Sequence, residues 1–309
     1  MSAQPSSPRR RARLWRAAAA VAVLIGLAGY LVVQYVTGGP GAPQCTVRAE
    51  GDAKEYELSP EQAANAATIS AVASSRGLSE RAVTIALATA MQESGLRNID
   101  FGDRDSVGLF QQRPSQDWGT VQQIMDPVYS AGEFYRHLAK VPGYSRLPLT
   151  VAAQRVQRSG YPQAYAKHEA NAARLTGALS GRDRDAMTCT ESRPVDGQAS
   201  GATAVRERLV REFGAGVLPR TGDGKGRATG GGSGVTIPVR QSGAVGAGDA
   251  ERRGWELAMW AMAHSAELRI EQISYAGRMW QADDAGKGWQ RKPADSAVAA
   301  QHVRIVTAQ

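Results

Sequence analysis

The stretch Ala82-Val83-Thr84-Ile85-Ala86-Leu87-Ala88-Thr89-Ala90-Met91-Gln92-Glu93-Ser94-Gly95-Leu96 decides how this chain is read. It is apolar or small on nearly every side, which predicts a helix buried in the centre of its domain. Ser79 is placed to start that helix and Gly95 to stop it. Glu93, at its end, is the first acid after Glu80. Two effects act on such a carboxyl in the same direction: partial burial disfavours its charge, and so does the negative end of the helix dipole. A carboxyl kept protonated near neutral pH is what general-acid chemistry requires. The same position also suits a solvated end-of-helix glutamate.

Working outward, Ser59-Pro60-Glu61-Gln62 reads as a capping box opening a helix to about Arg76, ended by Gly77. Residues 95–125 lack periodicity and carry Gly102, Gly108, Pro114 and Gly119, and so long a loop in a compact domain usually builds a site. Asp126-Pro127 opens a helix with Val128, Ala131, Phe134, Tyr135 and Leu138 on one face. Two more helices are predicted over about 149–158 and 162–180.

After Glu93-Ser94 come Gly102-Asp103-Arg104 and then Gly108-Leu109-Phe110-Gln111. This order resembles the lysozyme-like fold of lytic transglycosylases and goose-type lysozymes, over roughly residues 60–180. The resemblance implies a mainly α protein in which Glu93 is the catalytic acid/base. It implies that Ser94, Gly108, Leu109, Phe110 and Gln111 surround the glycan, and that Asp103 positions an attacking water. The substrate it implies is the glycan strand of peptidoglycan. The chain also departs from the pattern. Phe110 stands where methionine is usual, and Arg113 where the goose-type pattern has another acid. The tyrosine and asparagine of a later Ala-Tyr-Asn-Ala-Gly element are missing near Ala152-Ala153-Gln154-Arg155-Val156. Tyr161 and Tyr165 follow shortly after and are candidates for part of that space, or are plain core aromatics.

The 309 residues carry a formal charge of +8, but the excess is not spread evenly. Five arginines, Arg9, Arg10, Arg11, Arg13 and Arg16, supply most of it, whereas residues 46–190 hold sixteen basic and sixteen acidic residues. No domain carries a basic field, which argues against nucleic acid as a partner. The arginines precede an apolar run from Ala17 to Val36, interrupted only by Gln34. Twenty helical residues span about 30 Å, so residues 17–36 predict a transmembrane signal anchor in the lipid bilayer. Residues 1–16 would then be a cytoplasmic tail, 37–44 a linker, and the rest extracytoplasmic. A cleaved signal peptide is the alternative, although its apolar region is usually shorter, about 7–15 residues.

Cys45 and Cys189 are the two cysteines, and they bracket the neutral segment 45–190. Outside a reducing compartment such a pair is most simply a staple joining the ends of one domain.

Residues 191–250 hold fourteen glycines between Gly197 and Gly248 and read as linker, although Val205–Phe213 suits a short helix. Beyond, Trp255–Leu268 predicts a helix, with strands at Ile270–Tyr275, Arg278–Trp280 and Val303–Val306. This gives a small α+β ancillary domain over 251–309. With Trp255, Trp260, Tyr275-Ala276-Gly277-Arg278, Trp280, Gly288-Trp289 and His302-Val303, it resembles a C-terminal domain of secreted actinobacterial proteins. That domain is distantly like zinc D,D-carboxypeptidases and would extend from near Ala202. The zinc ligands of those enzymes are unmatched: Gly224-Lys225-Gly226-Arg227-Ala228 offers none, and His302 lacks a second histidine two residues on. His137, His168, His264 and His302 form no ligand-spaced pair, so no metal or cofactor is expected.

Two functions follow as expectations. One is a membrane-anchored enzyme cleaving peptidoglycan strands, as a lytic transglycosylase or muramidase. The other is a cell-wall-binding scaffold that keeps the fold without turnover. Glu93 favours the first; the altered 152–156 region favours the second.

Overall fold

The computed structural model describes residues 44–48, 54–161, 163–190, 201–218, 234–239, 247–292 and 301–308, with Val21, Leu24, Gly26 and Leu27 before them. The chain divides into two units, Met1–Ala42 and Pro43–Gln309. In the first unit the four described positions are helical and exposed. A span needs about twenty apolar residues in one continuous helix. Among the described residues no helix is long and apolar enough to cross a membrane. The expected single-pass placement, with residues 17–36 in the bilayer, is corrected on that finding. Apart from those four positions, the run lies outside the described residues, as does the tail 1–16.

The second unit begins with two short strands, β1 (Cys45–Arg48) and β2 (Glu55–Leu58), and the segment they open is closed by β3 (Met187–Cys189). The three form an antiparallel sheet in the order β2-β1-β3. Cys45 pairs in register with Cys189, and the two are joined by a disulfide with their Cα atoms 3.9 Å apart.

Between these strands lie six helices among the described residues. The first is α1 (Pro60–Ser75), opened by the Ser59–Gln62 capping box, with Arg76 at its C-cap. Next come α2 (Glu80–Glu93), the single-turn α3 (Val121–Ile124) and α4 (Pro127–Leu138). The last two are α5 (Leu149–Gln157) and α6 (Glu169–Leu179). Residues Ala82 to Met91 of α2 are buried without interruption, so α2 is the central helix. The α6 helix starts later than its sequence suggests. Residues 163–168 form turns and a 3-10 segment, Ala166–His168, because Tyr165 is drawn fully into the interior.

The remainder builds a second antiparallel sheet. Helix α7 (Ala202–Phe213) comes first, then β4 (Gly234–Pro238) and α8 (Ala247–Ala263). Strands β5 (Ile270–Tyr275), β6 (Arg278–Gln281), β7 (Gln290–Arg291) and β8 (His302–Thr307) complete it, in the order β4-β8-β5-β6-β7. Both sheets correct the expected mainly α class: the protein is mixed α/β. The first sheet is invisible to local pattern because β1 and β3 are three or four residues long and meet across 144 positions. Strand β4 lies in the glycine-rich stretch; among the described residues it pairs along one side, on β8, and an edge position is where its closing Pro238 is tolerated.

The ancillary part is not a separate bead. Helix α8 packs on α1 and β3, and α7 packs on α1. The Arg252 guanidinium donates to the Ser180 carbonyl, and Trp289 Nε1 donates to the Met187 carbonyl at 2.9 Å. Gly181 permits the approach of α8 to the end of α6: its φ is +69°, and a Cβ there would meet the Arg252 carbonyl oxygen at 2.0 Å.

Candidate active site around Glu93

Helix α1 holds the chain just beyond Glu93. Gln62 Nε2 donates to the Gly95 carbonyl at 2.8 Å, and Asn65 Nδ2 to the Leu96 carbonyl at 2.9 Å. Gly95 and Leu96 both have positive φ, 64° and 61°, so the turn reverses sharply and leaves Glu93 as the last helical residue. The two carbonyls it would strand are satisfied by side chains of a neighbouring helix.

The Glu93 side chain is half-buried. Tyr165, fully buried, donates its hydroxyl to Glu93 Oε1 at 2.7 Å. The Gln157 amide donates to the same carboxyl, and its Nε2 also reaches the Phe110 carbonyl at 2.8 Å. A carboxamide carries two N–H groups, so one side chain serves both. Burial raises the Glu93 pKa, and the two hydrogen bonds oppose this without cancelling it. The Tyr165 phenol is also pushed well above its usual value, by burial and by the adjacent carboxylate, so it remains a proton-bearing donor.

The loop residues divide into those behind the site and those away from it. The Ser94 hydroxyl lies 2.8 Å from the Leu109 carbonyl oxygen, tying the end of α2 to the loop. Leu109 and Phe110 have no exposed surface, and the Phe110 ring stacks on Phe134 with centroids 4.6 Å apart. Expected beside the glycan, these two side chains belong to the core instead: large apolar groups gain more from burial than from lining a polar surface. Gly108 has a φ of +77°, and a Cβ would stand 2.8 Å from the Ile124 carbonyl oxygen. Gln111, half-buried and also at positive φ, directs its amide to the carbonyls of Phe101 and Gly108 at 3.3 Å.

The acids of the loop have distinct environments. The side chain of Asp103 is 92 % exposed and lies 4.0 Å from Arg104. Asp105 is the fastened one: it accepts from the Ser115 N–H at 2.9 Å and from Arg113 at 2.7 Å. Ser115, by hydroxyl and N–H, and then Arg113 hold its carboxyl far below the usual aspartate range. Arg113, which stands where an acid was expected, thus closes the loop onto Asp105. Tyr161 is 79 % exposed, unlike its neighbour Tyr165.

Sequence reasoning passed over Gln157, which lies one position beyond the 152–156 segment it considered. It also passed over His168, whose Nε2 is 3.2 Å from Gln92 Oε1. Burial and Lys167 lower the His168 pKa, favouring the neutral ring as donor to that oxygen. Neither residue has a local signal; only the return of α5 and the 163–168 turns beside α2 brings them there. Among the described residues no group of three or more His, Cys, Asp or Glu is arranged to hold a metal ion.

A comparison with curated proteins finds no match. Residues 194–303, running from ahead of α7 into β8 and not including Glu93, match the family model described as VldE, C-terminal domain.

Proposed function

We propose that the protein cleaves peptidoglycan glycan strands with Glu93 as the general acid. The observation that carries this reading is the half-buried Glu93 carboxyl, its pKa raised by burial and its Oε1 fixed by the Tyr165 hydroxyl at 2.7 Å. With Oε1 occupied as an acceptor, the neutral acid carries its proton on Oε2. That proton passes to the glycosidic oxygen as the bond from C1 of N-acetylmuramic acid breaks, and N-acetylglucosamine leaves with a free hydroxyl. The acetamido group of the muramic residue captures the oxocarbenium-like centre. Its 6-hydroxyl then attacks C1, closing a 1,6-anhydro ring and returning a proton to Glu93.

The solvent-exposed Asp103 favours this intramolecular route over hydrolysis, because an unfastened carboxylate is a poor holder of one water. The test is mass spectrometry of purified peptidoglycan incubated with the full chain and with the Glu93→Gln variant. Anhydro-muropeptides from the wild type alone support the proposal. Reducing ends identify a muramidase acting through water, and intact strands identify a binding protein.

A further inference from the structure

The donors that reach Glu93 come from one bend of the chain, at the end of α5. Gln157 is the last residue of that helix. Arg158, at its C-cap, is left-handed with a φ of +52°, and its N–H donates to the Gln154 carbonyl at 2.8 Å. The chain turns back there, and Gln154 Nε2 fixes the bend by donating to the Ser159 carbonyl at 2.7 Å. Residues on both sides of the bend therefore meet the same carboxyl.

Beyond Arg158 the hydrogen bonds run in one direction. The Tyr161 N–H donates to Ser159 Oγ at 3.1 Å. The Ser159 hydroxyl donates to the Tyr165 phenol oxygen, and the Tyr165 hydroxyl donates to Glu93 Oε1 at 2.7 Å. Each bond in such a chain polarises the next, so the last one, to the carboxyl, is strengthened. Gln157 supplies a direct bond. Its amide donates to the Glu93 carboxyl and also to the Phe110 carbonyl at 2.8 Å, and Phe110 is itself fixed by its buried stack on Phe134.

Other ionisable groups around the end of α2 are engaged elsewhere. His168 Nε2 lies 3.2 Å from Gln92 Oε1, Glu61 Oε1 accepts the Asn98 N–H at 3.3 Å, and Glu169 meets Arg81 at 2.9 Å. Asp105 is bound by Arg113 and Ser115, and Arg158 bears on His137. Among the described residues, burial, Tyr165 and Gln157 are what act on the Glu93 carboxyl. Burial disfavours its charged form, and the two donors favour it. A glutamate that gives up a proton and then takes one back exists as a carboxylate between the two transfers.

We propose that Gln157 and Ser159 are positioning residues for Glu93, Gln157 directly and Ser159 through Tyr165, and that together they hold the ionised carboxylate in place until it recovers a proton. The reaction this serves rests on the glycan-cleaving reading; the hold on Glu93 does not.

The experiment is carbon-13 NMR of the full chain labelled at the glutamate δ carbon, with the Glu93 signal identified by its loss in Glu93→Gln. Gln157→Met keeps the length of the side chain and removes its donors. It moves the Glu93 titration to higher pH by about one pH unit, as expected for loss of a hydrogen bond to a charged group. Ser159→Ala removes the bond behind Tyr165 and moves the titration in the same direction by less. Gln157→Asn, too short to reach both acceptors, gives the same comparison if Gln157→Met does not fold. Variants that melt below the wild type yet titrate with it show a merely structural role and overturn the proposal. Variants indistinguishable from wild type in both respects also overturn it. Cleavage of purified peptidoglycan separates this result from the reading of the reaction. With an active wild type, the alkaline limb of the variants' pH profile moves up together with the Glu93 titration. A wild type that cleaves nothing, while both substitutions move the titration, removes the glycan-cleaving reading and leaves the hold on Glu93 standing.

Discussion

The hydroxyl of Thr68, midway along α1, donates to Glu212 Oε1 at 2.9 Å across 144 residues of sequence, and both side chains are buried. Trp260 Nε1 donates to Glu212 Oε2 at 2.7 Å, and His264 Nε2 lies 3.5 Å from the same oxygen. One carboxylate thus joins α1, α7 and α8. Burial alone would raise its pKa, yet His264, Trp260 and Arg208 together bring it below the usual glutamate range.

Glu212→Ala should therefore destabilise strongly, by about 3–5 kcal/mol, since it strands buried donors that have lost their charge partner. Denaturant unfolding should measure the loss as a single transition covering both sheets. Two separated transitions, with only the C-terminal one shifted, would show that the two regions fold independently. Because the folded pKa is depressed, the contribution of Glu212 is present above the unfolded value near 4.5 and is lost as pH falls through the folded value.

Glu93 behaves in the opposite sense. Its folded pKa is raised from 4.5, so the folded protein holds the proton more tightly, and ionisation costs stability as pH rises. Glu93→Gln should thus melt at or above the wild-type temperature at pH 7, with the difference vanishing below pH 4.5. Glycan cleavage should fall by about 10²–10⁴-fold in the same variant. A variant that cleaves at the wild-type rate removes Glu93 as the acid.

Opening the disulfide between Cys45 and Cys189 releases a loop of 144 residues. In the chain-entropy model the cost is about 4–5 kcal/mol. Paired Cys45→Ser and Cys189→Ser replacements should lower the thermal midpoint, and adding reductant to the wild type should lower it to the same value.

Gly108 sits where a side chain is opposed twice, by a φ of +77° and by the Ile124 carbonyl oxygen at 2.8 Å. Gly108→Ala should destabilise by about 1–3 kcal/mol. Thermal unfolding checks this, and a midpoint equal to wild type would mean that the loop shifts freely to make room.

Asp103 and Asp105 should separate cleanly. Asp103→Asn, altering an exposed side chain, should change neither the melting temperature nor cleavage. Asp105→Asn weakens the closure through Ser115 and Arg113 and should raise proteolytic nicking of the 101–117 loop. Loss of cleavage in Asp103→Asn with an unchanged midpoint would restore a water-positioning role.

The sequence by itself determined most of the helical frame of residues 60–179, though not the single turn α3 or the late start of α6. The Ser59–Gln62 box and the all-round apolar run 82–91 are local signals, set by hydrogen bonds and burial within one or two turns. It also marked Glu93 as the acid at the end of the buried helix, and Cys45 and Cys189 as the bracketing pair. Tertiary structure alone decided what surrounds that acid. Tyr165 and Gln157 reach it because α5 and the turns after it fold back on α2, over separations of 72 and 64 positions, where no periodicity connects them. Leu109 and Phe110 left the expected site for the core for the same reason, because the preference of an apolar side chain is settled by whichever neighbours exclude water from it. The first sheet, strands β4 and β7 of the second, and the union of α1 with α7 and α8 were equally hidden, whereas β5, β6 and β8 were legible as strands. Strands as short as β1, β2, β3 and β7 carry little pattern of their own, and their pairing energy exists only once distant segments meet.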